Sequence, residues 1–200
     1  MKRLLLATNN AGKIAELRSM IADLPFDLYG LADFPAVDEV EETGSTFAAN
    51  ARLKAVGYAM ETGLTALADD SGLEVDALDG RPGVLSARYG SEGTSFENKM
   101  KMLLDELEKV DSDDRSAQFS CAIAISDENG RILFESEGIC RGRIALSPIG
   151  SGGFGYDPIF IPDGYEQTFG ELSGAIKQNI SHRSLAFSQI IPFLGHFIEL

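Results

Sequence analysis

"FSCAIAISDENGRILFE", Phe119 to Glu135, decides what kind of sheet this chain can build. Apolar side chains fall on alternate positions at Phe119, Cys121, Ile123 and Ile125, and again at Ile132 and Phe134, the period of a strand. Between the two runs stands Asn129-Gly130, a dipeptide suited to the positive φ angles of a hairpin turn. Two strands joined so closely must pair antiparallel. The chain upstream reads differently. "KRLLLA" (Lys2–Ala7) is a short apolar run fit for a buried strand, and from Ile14 the residues Leu17, Met20, Ile21 and Leu24 follow helical spacing as far as Pro25. Thr46–Met60 reads as a second helix, Thr65–Asp70 as a strand and Thr94–Val110 as a third helix. In that third helix "TSFE" predicts a capping box of Thr94 with Glu97, and Phe96, Met100, Leu103, Leu104 and Leu107 make the apolar face. A glycine-rich loop, "GSGGFGYD" (Gly150–Asp157), precedes "PIFI". A last helix is expected from Ser181, with Pro192 marking a kink or a break. Strands alternating with helices, together with one antiparallel hairpin, predict an α/β fold built on a mixed sheet. No repeat and no Pro- or Ser-rich linker interrupts it, so residues 1–200 are expected to form a single domain.

Composition narrows the function. Apolar residues make up 44% and charged residues 24% of the chain, ordinary globular proportions. The net charge of -14 excludes tight binding to polymeric nucleic acid or to an anionic membrane surface. A small anion can still be held where the few cations converge. No apolar run approaches the roughly 18 residues of a membrane span, and the apolar run in "MKRLLLATNN" is too short for a signal peptide. The expected setting is the cytoplasm. Cys121 and Cys140 lack metal-type spacing, and Cys121 sits in register with core residues. His196 reads as a surface residue.

Five segments carry residues able to do chemistry. "ATNNAGK" (Ala7–Lys13) links the first strand to the first helix, where backbone N–H groups and the helix dipole favour an anion and Asn10 and Lys13 add a donor and a charge. It lacks the P-loop pattern, and a plain helix cap accounts for the same residues. Glu41 and Glu42 lie in a loop, and Asp69 and Asp70 at a predicted strand end, so oxygens from two segments suit Mg²⁺, and an acid on a strand rim can take a proton from water. In "GSGGFGYD" the glycines permit close backbone approach, and Phe154 or Tyr156 can either stack on a planar base or fill the core. Lys177, His182 and Arg183 supply donors for carbonyl or phosphate oxygens, or else a solvated helix start capped by Ser181.

In combination and in order, "LLLATNNAGKIAEL", "EETGSTF", "NARLKA", "ADDSGLEVDALDGRPGVLSARY", "GGFGYDPIF", "TFGEL" and "ISHR" resemble the inosine triphosphate pyrophosphatase family, the XTP/dITP diphosphatases. The resemblance runs from Leu4 to Phe187. It implies an elongated mixed sheet with flanking helices and two lobes around a central nucleotide-binding cleft. It also implies a Mg²⁺-dependent homodimer that hydrolyses ITP, dITP and XTP to the monophosphate and pyrophosphate. Carried over by residue, Thr8, Asn9, Asn10, Ala11, Gly12 and Lys13 would meet the triphosphate, with Lys54 as a further cation. Glu41 and Asp70 match metal-associated acids, Asp70 matches the proton acceptor, and Ser71 matches a substrate contact. Phe154, Gly155, Tyr156 and Asp157 match the base-binding loop, and Lys177, His182 and Arg183 the base-recognition cluster. Two departures stand out. Ala49 occupies a position where the family usually has Glu, and "SGAIKQN" is less acidic before its lysine than the family tends to be. A Maf-like pyrophosphatase for pyrimidine or modified nucleotides is an alternative that fits "GGFGYDP" and "ISHR" less well. A nucleotide-binding sensor without turnover is another, prompted by Ala49.

Overall fold

The computed structural model describes residues 1–91 and 93–199, and its first strand is β1 (Lys2–Leu6), in which Leu4, Leu5 and Leu6 are all 0% exposed. A strand covered on both faces needs consecutive apolar residues, and "LLL" supplies them. α1 (Ala11–Met20) follows, then β2 (Phe26–Gly30) and α2 (Phe47–Thr62), which is capped by Thr46 and closed by Gly63 in the left-handed region at φ 67°. β2 carries only one buried apolar residue, Phe26, and so has no period that the sequence reveals.

β3 (Thr65–Val75) runs beyond the strand end expected at Asp70, which puts Asp69 and Asp70 in mid-strand rather than on its rim. α3 (Phe96–Leu107) is capped by Ser95, whose hydroxyl accepts from Asn98 N at 3.3 Å. The predicted Thr94–Glu97 box does not form, because the Thr94 hydroxyl pairs with that of Ser91 at 2.9 Å. β4 (Ser116–Ser126) and β5 (Ile132–Ile144) are the hairpin, joined by residues 127–131. That loop is longer than a two-residue turn because the Asp127 carboxylate organises it, accepting from Asn129 N and Arg131 N at 3.0 and 2.9 Å, with Gly130 at φ 82°. After β6 (Phe160–Pro162) come α4 (Gly174–Ile180), α5 (His182–Ser188) and α6 (Ile191–Glu199). The break expected at Pro192 falls just before it, and Pro192 lies in the first turn of α6, where its missing N–H costs nothing.

The strand order is β2-β1-β3-β4-β5-β6. β1 is parallel to β2 and β3, whereas β5 and β6 are antiparallel, so the sheet is mixed. The chain divides into two compact units. One holds residues 1–70, 121–138 and the segment from Arg183 onward; the other holds 71–120 and 139–182. In the first unit the sheet is covered on both sides. Leu4, Leu6, Cys121, Ile123 and Ile125 pack with Leu17 and Phe187, while Leu5, Ala122 and Ala124 pack with Ala51, Ala55 and Tyr58. The alternation in β4 is therefore large against small, not inside against outside. In the second unit the core gathers Leu73, Met100, Leu103, Phe119, Phe160 and Phe169, with the Phe119 and Phe160 rings 4.6 Å apart.

Candidate active site

Within the first unit, the loop after β1 does cap α1. Asn10 Oδ1 accepts from Lys13 N at 3.1 Å, and Asn10 N donates to Thr8 Oγ1 at 3.2 Å. Asn9, Asn10 and Ala11 are exposed, Thr8 and Gly12 half-buried. Cap and anion cradle are compatible here, since the cap fixes the loop while the Lys13 side chain reaches past it to Asp69 Oδ2 at 2.9 Å.

The two adjacent acids of β3 face different partners. Asp69, fully buried, receives Lys13 and, at 3.3 Å, Arg183 Nε. Burial alone would raise its pKa, but Lys13, Arg183 and Lys54 outweigh it and hold the carboxyl well below its usual range. Asp70 Oδ2 accepts from Asn50 Nδ2 at 3.0 Å, and its Oδ1 lies 3.6 Å from Lys54 Nζ. Here burial prevails over Lys54 and Asn50, and the Asp70 pKa is raised. Asp69 is a fixed anion, whereas Asp70 is a carboxylate whose affinity for a proton has been increased. Lys54 also bonds Glu42 Oε1 at 2.7 Å. Burial works against its ammonium, yet Asp69, Asp70 and Glu42 together hold its pKa above the ordinary value.

The loop acid that joins this cluster is Glu42; Glu41, the residue matched to the metal by sequence, is exposed. Arg183 has acid partners in the first unit: its side chain is 2% exposed and bonds Glu16 Oε2 at 2.5 Å as well as Asp69. Burial disfavours its charge, but Asp69 leads the anions that raise its pKa. Cys121 Sγ lies 4.0 Å from Asp69 Oδ2, and burial pushes that thiol up to about 12, leaving it a core residue. Sequence reasoning missed Asn50 and Glu16. The signal was spacing, since Asn50 and Lys54 stand four apart on α2 and Lys13 and Glu16 three apart on α1, each pair on one helix face.

Asp70 and Glu42 are hard oxygen donors on separate segments. Among the described residues no group of three or more His, Cys, Asp or Glu gathers around one point. One or two carboxylates completed by substrate phosphates and water is the manner in which Mg²⁺ is usually bound, so the donor set fits that ion.

In the second unit, Asp157 Oδ2 accepts from Phe154 N at 2.7 Å and from Lys177 Nζ at 2.6 Å. Asp157 and Lys177 are 2% and 7% exposed, a buried pair. The Lys177 ammonium also sits 4.5 Å from the centroid of the Phe154 ring. Gly153 makes the turn possible, as its φ is +70° and a Cβ there would lie 1.9 Å from Asp157 Oδ2. Gly155 is likewise at positive φ, 67°. Tyr156 faces inward: its hydroxyl donates to Ser86 O at 3.0 Å and its ring meets Phe96 edge-on at 5.4 Å. Of the two aromatics expected to stack on a base, only the half-buried Phe154 keeps that option. His182 is buried and stacks on Phe119 at 4.7 Å and 12°. Ser71 follows Asp70 in β3 and is half-buried.

The Ham1 family profile matches residues 4–193. A dITP/XTP pyrophosphatase of Nostoc sp. is 47% identical over 199 residues, covering 99% of this chain and 97% of its own. One of Desulforamulus reducens is 48% identical over 193 residues, covering 96% of each. Among solved structures, a HAM1 protein from Coxiella burnetii superposes with a TM-score of 0.91 at 41% identity, covering 98% of this chain and 100% of that one. The Ham1 protein of Staphylococcus aureus gives 0.86 at 40% identity, covering 98% and 99%.

Proposed function

The chain belongs to the Ham1 family, and from that premise we propose that it is a dITP/XTP pyrophosphatase, a hydrolase that converts ITP, dITP and XTP to the monophosphate and pyrophosphate. The observation that carries the reaction is the pair Asp69 and Asp70, one locked to Lys13 and Arg183, the other buried beside Lys54 with a raised pKa. Lys13 and Lys54 offset phosphate charge. Asp70 accepts a proton from the water that attacks the α-phosphorus; the new P–O bond forms as the α–β bridge breaks, and pyrophosphate carries off the electron pair. Asp70 and Glu42 would hold Mg²⁺, with Glu42 favoured over Glu41 by its bond to Lys54. That ion, when bound, supplies further positive charge to the phosphates.

Base choice falls to the Phe154–Asp157 turn with Lys177 and His182. A donor facing the purine O6 is satisfied by hypoxanthine or xanthine, but faces an amino group in adenine and is left unpaired. Arg183 moves in this account to the acid cluster on account of its bonds to Asp69 and Glu16. A homodimer in the cytoplasm completes the reading, and no helix among the described residues is long and apolar enough to cross a membrane. Sedimentation tests the dimer.

The function is tested by incubating the protein and Mg²⁺ with ITP, dITP, XTP, ATP and dGTP and assaying pyrophosphate and orthophosphate separately. The expected result is pyrophosphate equimolar with monophosphate, from the deaminated purines foremost. Orthophosphate as the product, turnover confined to pyrimidine nucleotides, or binding without turnover would each refute it.

A further inference from the structure

Asn50 has no part in the reaction as described, yet it is 0% exposed and lies beside the acids that do. Both ends of its amide are used. Oδ1 accepts from Gly44 N at 2.7 Å, and Nδ2 donates to Asp70 Oδ2 at 3.0 Å. A backbone N–H can only donate, so the amide oxygen must face Gly44 and the NH₂ must face Asp70. The orientation is fixed by chemistry. Gly44 has no room for a side chain, since a Cβ there would lie 2.6 Å from Asn50 Oδ1 and 2.7 Å from the Ala49 Cβ. Next to it, Thr46 caps α2 by accepting from Ala49 N at 3.1 Å, and Asn50 N donates to Thr46 O at 3.1 Å. The loop that is tied down in this way also carries Glu42, which reaches Lys54 one helical turn beyond Asn50.

We infer that Asn50 is a positioning residue for the pyrophosphatase reaction, orienting the Asp70 carboxylate and, through Gly44, holding the Glu42 loop in register with it. The inference rests on the reading of Asp70 as proton acceptor. An amide suits the task because it presents an acceptor and a donor in opposite directions without adding charge to a cluster that already contains Lys54, Asp70 and Glu42.

The test is a double-mutant cycle on pyrophosphate release from dITP at saturating Mg²⁺. Asn50→Ala is expected to lower kcat by about 10- to 100-fold, the usual scale for an outer-shell partner. KM for dITP should change by less than ~3-fold, because both ends of the Asn50 amide are spent on Gly44 and Asp70 and a positioning role acts through Asp70. In an Asp70→Asn background the same change should cost less than ~2-fold, because the group it orients is gone. Hydrogen exchange at Gly44 N–H, slow in the wild type, should accelerate in Asn50→Ala. Gly44→Ala, which leaves both side chains in place, should reproduce the kcat loss, and it carries the test if Asn50→Ala does not fold by circular dichroism. The inference is overturned if Asn50→Ala keeps wild-type kcat, if it raises KM alone, if its effect multiplies with that of Asp70→Asn, or if the folded Gly44→Ala protein turns over normally. Wild-type turnover by Asp70→Asn would instead overturn the reaction assigned above.

Discussion

The two units handle charge in opposite ways. In the first, Lys13, Lys54 and Arg183 share Asp69, Asp70, Glu42 and Glu16, and Asp69, Lys54 and Arg183 each bridge two partners. In the second, Lys177 and Asp157 form one buried pair beside the Phe154 and Phe169 rings. A network tolerates the loss of one member because others remain. A buried charge pair responds more sharply, since removal of the lysine takes away the ammonium that offsets the buried Asp157 carboxylate. Charge is adjustable where phosphate is proposed to bind, and set for shape where the base is.

The largest effect that would break this contrast is at Asp70. Asp70→Asn keeps the shape and removes the proton acceptor, so kcat for pyrophosphate release should fall by roughly 10²- to 10⁴-fold while the thermal midpoint moves little. Next is the Lys177–Asp157 pair. Lys177→Ala should destabilise the fold by about 3–5 kcal/mol, read as a lower denaturant midpoint, and should narrow the ratio of kcat/KM for ITP over ATP. Lys13→Ala should do neither, because Asp69 retains Arg183; it should lower kcat/KM for ITP and ATP by a common factor. Equal behaviour of the two lysine variants would erase the distinction between the units.

Acidification offers a milder test. Asp69 has a lowered folded pKa, so its contribution to stability is complete above the ordinary carboxylate value near ~4 and is lost as pH falls through the lower folded one. Asp70, with a raised pKa, has the opposite sign: its burial costs stability at neutral pH, and protonation relieves that cost. Activity should therefore fail on the acid side before stability does, a separation visible by assaying turnover and unfolding over the same pH series. The smallest expected effect is that of Ala49→Glu, which adds a carboxylate beside Asn50 and should lower half-saturating Mg²⁺ by a few-fold, on the order of 2- to 5-fold, within the range of outer-shell changes.

The apolar runs made β1, α1, α2, β4 and β5 legible, because burial imposes its period on residue choice. The β4 pattern signals the hairpin pairing but not the burial of both faces, since Ala122 and Ala124 are apolar but small, and alternation of size looks like alternation of exposure. β2 escaped notice because an edge strand with Asp27 at its second position carries no such imprint. The candidate site was legible as a set of residues. Its partnerships were not, because adjacency in "ISHR" says nothing about direction: His182 stacks on Phe119 while Arg183 turns to Asp69. The resemblance pointed to Glu41, and the bond from Lys54 to the neighbouring Glu42 is a partnership that their adjacency in sequence does not reveal.

The 2.9 Å contact between Lys13 and Asp69 also bears on how a catalytic cycle ends. A lysine standing alone at a helix start would cling to any polyphosphate, spent or fresh. In the proposed reaction an arriving triphosphate would compete for Lys13 with this resident carboxylate, so retention would depend on what else the ligand can grip. Pyrophosphate lacks the base that the proposed reaction uses for recognition, and the resident carboxylate would reclaim the lysine as it departs. Weak inhibition by pyrophosphate relative to the monophosphate product is the kinetic trace that this arrangement should leave.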